Sequence, residues 1–358
     1  MSLTSQTDGA NCIRKRVIYV LRTTVCLAVF FGIIEVVRLS LGPNWHTIVD
    51  GELYRSAHLS SQEIQTAVDR FGIRSIINLR NCCPWEPWYQ DETSAVEALN
   101  LHRVDFNFSA YLPPAPDQLQ KLWQTLETAP RPILIHCRRG ADRTGLASVI
   151  AYLHHQGDGP VEPALRQLSI LRGHVPIDRV LEMDKVVNYY IDWLAQTGQS
   201  HTRNALKHWI FEEYRPGQCW GEVIPIQVPD RIAAGEHQVI KVKLHNQSQY
   251  PWHFDRGSNV GVHLRGYIEP EWAKPPPWIK ADDPLPHRKY LAAGFMGVVV
   301  QPQQTIELTV AIPPLREPGK YRLFLDMYDE QLRCYGDMVG SKALKKKLEI
   351  VSASVAQR

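Results

Sequence analysis

Three hydrophobic patterns succeed one another along the 358 residues. From Val17 to Leu41 apolar residues dominate without a clear period; the clean core runs from Thr23 to Ile34, and Arg22 and Glu35 interrupt its edges. From about residue 43 to 199, short apolar runs alternate with stretches of helical period. Ile133-Leu134-Ile135 reads as a strand buried on both faces, and Leu146 to Tyr152 begins a helix. Ser60 or Ser61 caps a helix over 62–71 that stops at Gly72, and 116–127 reads as another helix. From about 219 the period falls to two, in Gln238 to Leu244 and Thr305 to Val310, and Pro318 to Met327 reads as a turn into a strand. Short strands punctuated by turns predict an all-β sandwich there.

The chain thus divides into a polar tail (1–16), a membrane signal-anchor (17–41), an α/β domain (43–199), a connector (200–218) and a β-sandwich accessory domain (219–352). Arg14, Lys15, Arg16 and Arg22 precede the apolar core, and no small-residue cleavage site follows it. The positive-inside rule then predicts a single-pass protein with its globular part on the non-cytoplasmic side; a cleaved signal peptide and a buried or amphipathic helix are the competing readings of the run. Lys and Arg number 40 against 37 Asp and Glu. That balance gives no reason to expect a nucleic-acid partner. Seven cysteines without a C-x-x-C pair argue against a disulfide scaffold and a zinc ribbon.

The chemistry concentrates in His136-Cys137-Arg138-Arg139-Gly140-Ala141-Asp142-Arg143-Thr144-Gly145, set between the 133–135 strand and the following helix. A glycine-containing loop at a helix N-terminus presents free N–H groups and the positive end of a dipole to an anion. The same groups stabilise a thiolate at Cys137, and Arg143 can fork onto two phosphate oxygens.

This loop resembles that of the protein tyrosine phosphatase superfamily, with His136, Cys137, Gly140, Arg143, Thr144 and Gly145 at the family's positions. Tyr54-Arg55-Ser56-Ala57 and Ile77-Asn78-Leu79-Arg80 resemble strands of its dual-specificity-like members, so the resemblance covers about 45–195. It implies an α/β phosphatase fold with a parallel-centred sheet flanked by helices. It also implies a cysteine-dependent phosphomonoester hydrolase that needs no metal or cofactor. In that reading Cys137 attacks phosphorus and becomes phosphocysteine. Arg143 and the N–H groups around Arg138, Arg139, Gly140 and Ala141 hold the phosphoryl oxygens. His136 buttresses the loop, and Thr144 eases departure of the sulfur.

The proton for the leaving group has three candidate donors. Asp105 follows the strand Leu101 to Val104, Asp142 lies inside the loop, and Asp117 sits in the first turn of the 116–127 helix. Arg138 and Arg139 favour a polyanionic substrate if they face the pocket and do nothing specific if they face solvent. The implied partners are a phosphorylated protein, a phospholipid or an inositol phosphate. Cys82 or Cys83 is a candidate oxidation partner of Cys137, and Trp85, Trp88 and Tyr89 suggest an aromatic loop near the site. The β-sandwich loosely resembles immunoglobulin-like modules of bacterial envelope enzymes. Its loop 268–288 is a candidate surface for a protein or glycan partner, and Asp326, Asp329 and Glu330 read as solvated carboxylates at a strand end. The rival functions are a catalytically weak phosphate-recognising protein and an envelope scaffold.

Overall fold

The computed structural model describes residues 19, 21–26, 42–81, 83–254, 261–273, 287–293, 297–330 and 334–352. The expected membrane span 17–41 therefore falls largely outside the described residues, and so does Cys82. Among the described residues no helix is long and apolar enough to cross a membrane. By contact density the chain divides into two compact units. The first comprises residues up to 107, 128–155 and 161–175; the second comprises 108–127, 156–160 and 176–358.

The first unit is built on a five-stranded sheet of β1 (His46–Val49), β2 (Leu53–Ser56), β3 (Ser75–Asn78), β4 (His102–Asp105) and β5 (Ile133–His136), in the order β1-β2-β5-β3-β4. β2, β5, β3 and β4 run parallel, and β1 is antiparallel at the edge. β5 lies at the centre, and its three aliphatic residues are at most 1% exposed, which is why an unbroken apolar run rather than an alternating one encodes it.

Helix α1 (Ser61–Phe71) starts where the Ser60 side chain accepts from the Glu63 N–H and Glu63 reaches back to the Ser60 N–H. It ends where Gly72 takes a left-handed φ of 66°. Its Ile64 and Ala67 join Ala95 and Val96 of α2 (Pro87–Ala98), and Tyr54, Ile76 and Leu134 of the sheet, in one hydrophobic cluster. Helix α4 (Asp142–Gln156) follows β5 directly after the loop. These crossovers leave the C-terminal ends of β3, β4 and β5 converging on residues 137–143, the place where parallel sheets present ligands to loops.

The second unit contains α3 (Pro116–Thr128, assigned here up to residue 127), α5 (Glu182–Thr197) and α6 (Arg203–His208), followed by the strands. Residues 200–218, expected as a connector, carry α6 and a π-helical turn over Trp209–Glu213, and Leu206, Trp209, Ile210 and Tyr214 are buried. The strands include β6 (Gly221–Gln227), β7 (Gln238–Asn246), β8 (Val262–Pro270), β9 (Thr305–Ile312), β10 (Gly319–Asp329) and β11 (Leu344–Val351). β8, β10 and β11 belong to a six-stranded sheet, and a three-stranded sheet is ordered β9-β7-β6. Ile240, Val242, Leu308 and Val310 of the smaller sheet share one hydrophobic cluster with Leu264, Leu323 and Leu325 of the larger. Asp326, Asp329 and Glu330 are at most 5% exposed, not solvated, because β10 runs through the middle of its sheet and each carboxylate is engaged inside the fold.

Candidate active site

The loop after β5 owes its shape to groups that capture its carbonyls. Arg55, on β2 and fully buried, donates through Nη2 to the Gly140 carbonyl at 2.6 Å and to the Ala141 carbonyl at 3.3 Å; its other terminal nitrogen donates to the Gln167 carbonyl. The Asn44 amide donates to the carbonyls of Arg139, Gly140 and Arg172 at 3.0, 3.1 and 3.0 Å. The His58 N–H reaches the Arg138 carbonyl at 3.4 Å. With its carbonyls drawn back toward β2, the loop is left with N–H groups for an anion. Gly140 makes this possible: its φ is +67°, and a Cβ there would lie 2.6 Å from backbone atoms of Ser56 and Ala57.

Cys137 is buried at the start of this loop. Burial alone would raise its thiol. The Arg143 guanidinium, the Thr144 hydroxyl and the N–H groups of Thr144 and Arg139 outweigh it, so the thiol lies below its ordinary value. Arg143 is itself held by the Leu79 carbonyl, which accepts from Nη1 at 3.1 Å. The sequence candidates Cys137, Arg143, Thr144, Gly140 and Ala141 thus meet in one place. Arg138 and Arg139 are exposed beside it.

The candidate acids differ sharply in surroundings. Both oxygens of Asp105 are occupied: Oδ1 accepts from Asn78 at 2.8 Å and Arg103 at 2.9 Å, and Oδ2 accepts from the Tyr89 hydroxyl at 2.6 Å. Asp142 opens α4, with Oδ1 2.9 Å from Nδ1 of the buried His174. Arg55 lies in the field of both Cys137 and Asp142. Asp117 is exposed in the first turn of α3, which belongs to the second unit.

His136 is backed by a group absent from the sequence-level candidates. Glu92 of α2 is 1% exposed, and its Oε2 lies 3.1 Å from His136 Nε2 and 3.1 Å from His58 Nδ1. Arg103 Nε lies 3.3 Å from Oε1. Burial would raise this carboxyl, but the two imidazoles and the guanidinium more than offset it and hold it well below the carboxylate range. The signal was present: Glu92 shares a helical face with buried Ala95 and Val96, a position where an apolar residue is ordinary. Arg80 stacks on Trp88 with its guanidinium carbon 3.5 Å from the ring centre, and Arg103 lies 4.1 Å over Tyr89, so two of the predicted aromatic residues orient cations. Trp85 is exposed, and Cys83 is half-buried.

Residues 42–155, about a third of the chain, match the family model described as the tyrosine phosphatase family. A curated relative, inositol diphosphatase DSP5 of Arabidopsis thaliana, is 32% identical over 111 residues, which are 29% of this chain and 50% of the relative. The chain therefore spans about half the length of the curated relative it matches. Among solved structures, the core catalytic domain of the PP-IP phosphatase SIW14 from S. cerevisiae is 22% identical, with a TM-score of 0.33 over 43% of this chain and 92% of that one. A P. aeruginosa TpbA variant in complex with pTyr is 17% identical, with a TM-score of 0.34 over 48% and 99%. The match to the tyrosine phosphatase family model includes the loop 136–145 and ends before the strands of the second unit.

Proposed function

We propose that the protein is a cysteine-dependent phosphomonoester hydrolase whose substrate is a polyanion of the inositol phosphate or phosphoinositide type. The observation that carries the reaction class is the Cys137 thiol held low beside Arg143, in a loop whose carbonyls are tied away from the site. The Cys137 thiolate attacks phosphorus, the P–O bond to the leaving group breaks, and that oxygen takes a proton. Water then attacks the phosphocysteine, gives up a proton, and releases phosphate and the thiolate. The loop N–H groups and Arg143 neutralise the equatorial oxygens in both steps.

Asp142 is our choice for the proton donor and acceptor. It shares a hydrogen bond with His174 and lies with Cys137 in the field of Arg55, whereas both oxygens of Asp105 already accept from Asn78, Arg103 and Tyr89. A general acid must turn an oxygen toward the leaving group.

The substrate class rests on the cations. Burial first, then the charge of Arg143, make it harder for Arg80 to keep its proton; Glu92 and Cys137 oppose this and Arg138 adds to it, so three guanidinium groups share one field. Exposed Arg139 adds a fourth cation to the same loop. A single phosphotyrosine phosphate leaves most of that charge unanswered, and a substrate with several phosphates answers it. Phosphate release from p-nitrophenyl phosphate, a phosphotyrosine peptide, inositol hexakisphosphate, an inositol diphosphate and phosphoinositide vesicles tests both parts. A preference for the peptide refutes the substrate class, and phosphate binding without any turnover leaves the phosphate-recognising reading in its place.

A further inference from the structure

We infer that the tip formed by Ile170, Leu171 and Val175 is a membrane-docking edge that seats the catalytic loop on an anionic phospholipid bilayer. This deepens the proposed function by naming where its substrate lies, and it rests on that reading only where turnover is measured.

The tip has a fixed shape. Ile170 to Arg172 form a single tight helical turn, which Gly173 closes with a left-handed φ of 84°. The Gly173 N–H donates to the Ile170 carbonyl at 2.9 Å, and the His174 N–H donates to the Ser169 carbonyl at 3.1 Å. His174 itself is buried, so the turn is anchored while its aliphatic side chains stand in solvent. Ile170 is 65% exposed, Leu171 76% and Val175 47%. One exposed leucine is ordinary; three large aliphatic residues between 170 and 175, held outward by a closed turn, are a patch.

The patch adjoins the catalytic loop. The Asn44 amide donates both to the Arg139 and Gly140 carbonyls of the loop and to the Arg172 carbonyl of the tip. His174 Nδ1 lies 2.9 Å from Oδ1 of Asp142, at the far end of the loop. The charge around it is positive. Arg166 is exposed and Arg172 partly so, with Arg172 Nε donating to the Arg166 carbonyl at 2.9 Å, and Arg138 and Arg139 are exposed on the loop. Residues 163–175 contain no carboxylate.

Aliphatic side chains among arginines suit a surface that is anionic outside and apolar within. The side chains enter the acyl boundary and the guanidinium groups meet lipid phosphates. The chain favours a bilayer over a protein partner. The apolar run expected as a membrane segment ends at Leu41, three residues before Asn44, so at about 3.5 Å per residue it joins the domain within about 10 Å of the residue that holds the tip.

Two measurements on the full chain test this. The first is amide hydrogen exchange over residues 169–175, read by mass spectrometry. It reports the tip alone, so attachment through the run 17–41 does not enter. Vesicles of phosphatidylcholine and phosphatidylserine should slow exchange there, and phosphatidylcholine alone should slow it less, since each arginine at an anionic surface strengthens binding about fivefold. Leu171→Asp, at an exposed position, should fold normally by circular dichroism and lose the protection; Leu171→Ser serves if it does not fold. The second is phosphate release. Leu171→Asp should slow hydrolysis of a phosphoinositide in vesicles about tenfold and leave a water-soluble short-chain analogue of the same headgroup within about twofold. Unchanged exchange of the wild type on anionic vesicles, or equal protection in the folded variant, overturns the inference. Protection that rises with protein concentration without lipid assigns the tip to a second copy and also overturns it. So does an equal fall on both substrates, which would place Leu171 at the reacting group. Protection lost in the variant, with no phosphate ester hydrolysed by the wild type, would sink the phosphatase reading and leave the docking edge standing.

Discussion

Arg55 Nη2 donates to the Gly140 carbonyl at 2.6 Å, and the glycine's own left-handed backbone is what turns that carbonyl toward it. The strand that carries Arg55 therefore moulds the loop that carries the chemistry, through a bond between a buried guanidinium and one peptide. Gly140→Ala should damage both stability and activity. The added methyl meets Ser56 and Ala57 backbone atoms at 2.6 Å and must adopt a φ of +67°. Strain and displacement of this kind cost about 2–4 kcal/mol. Thermal unfolding and p-nitrophenyl phosphate turnover should fall together; a variant with normal melting and normal kcat would mean that the loop does not need this approach.

Cys137→Ser removes the thiolate and leaves the anion cradle. Turnover should fall by about four orders of magnitude or more, while inorganic phosphate still protects the protein against heat, because Arg143 and the loop N–H groups remain. EDTA should leave wild-type turnover unchanged. Strong inhibition by the chelator, or retained turnover in the serine variant, refutes the cysteine mechanism.

Leaving-group dependence separates the two aspartates. Asp142→Asn should slow esters of poorly acidic alcohols by about 10²-fold or more and p-nitrophenyl phosphate far less, since its phenolate departs with little help. Asp105→Asn should instead loosen the Arg103, Asn78 and Tyr89 contacts and lower stability with a similar effect on all substrates. The opposite assignment of the leaving-group effect would make Asp105 the acid.

The candidate residues of the loop were legible because they crowd into ten positions between a strand and a helix. His136, Cys137, Gly140, Arg143 and Thr144 need no tertiary information to be grouped. The groups that shape the site were not legible in the same way. Asn44, Arg55, Glu92 and His174 reach the loop from four separate segments, and only the sheet order β1-β2-β5-β3-β4 and the crossovers bring them there. The pairing of Asp105 with the Arg103 beside it was not legible either, because a spacing argument does not register which side chain meets a carboxylate.

Asp326 gives the second unit a pH dependence of its own. Burial lifts its carboxyl to about 7, although the N–H groups of Asp337 and Met327, at 2.6 and 2.8 Å, partly favour the ionised form. The folded state then holds a proton that the unfolded chain has released above its ordinary value of 3.8, so the unfolded state binds fewer protons between those limits. Stability should therefore decline as pH rises from about 4 to about 7 and level off above. Asp326→Asn cannot titrate. Denaturant unfolding at pH 5 and pH 8 should show the wild type losing ground relative to this variant as pH rises, and a difference independent of pH would refute the assignment.

The last prediction concerns where the chain can be cut. From sequence, the α/β domain ends near 199 and a chain stopped at 215 keeps it whole. The packing of the second unit argues otherwise. Leu112 clusters with Cys334 and Val339. Gly340 approaches Pro116 so closely that a Cβ would lie 2.9 Å from its ring. The segment that leads into α3 thus rests on residues beyond 330, and removing 216–358 uncovers it. Exposing a buried leucine alone costs about 1.5–3 kcal/mol, and Pro116 loses its packing against Gly340 as well. A chain ending at 215 should melt well below the full protein, or lose a cooperative melt altogether, even though every residue assigned to the chemistry lies before 176. Calorimetry of the two chains decides it: an equally cooperative transition for 1–215, within about 2 °C of the corresponding transition in the full chain, would show that these contacts add nothing and that the break falls at 215 after all.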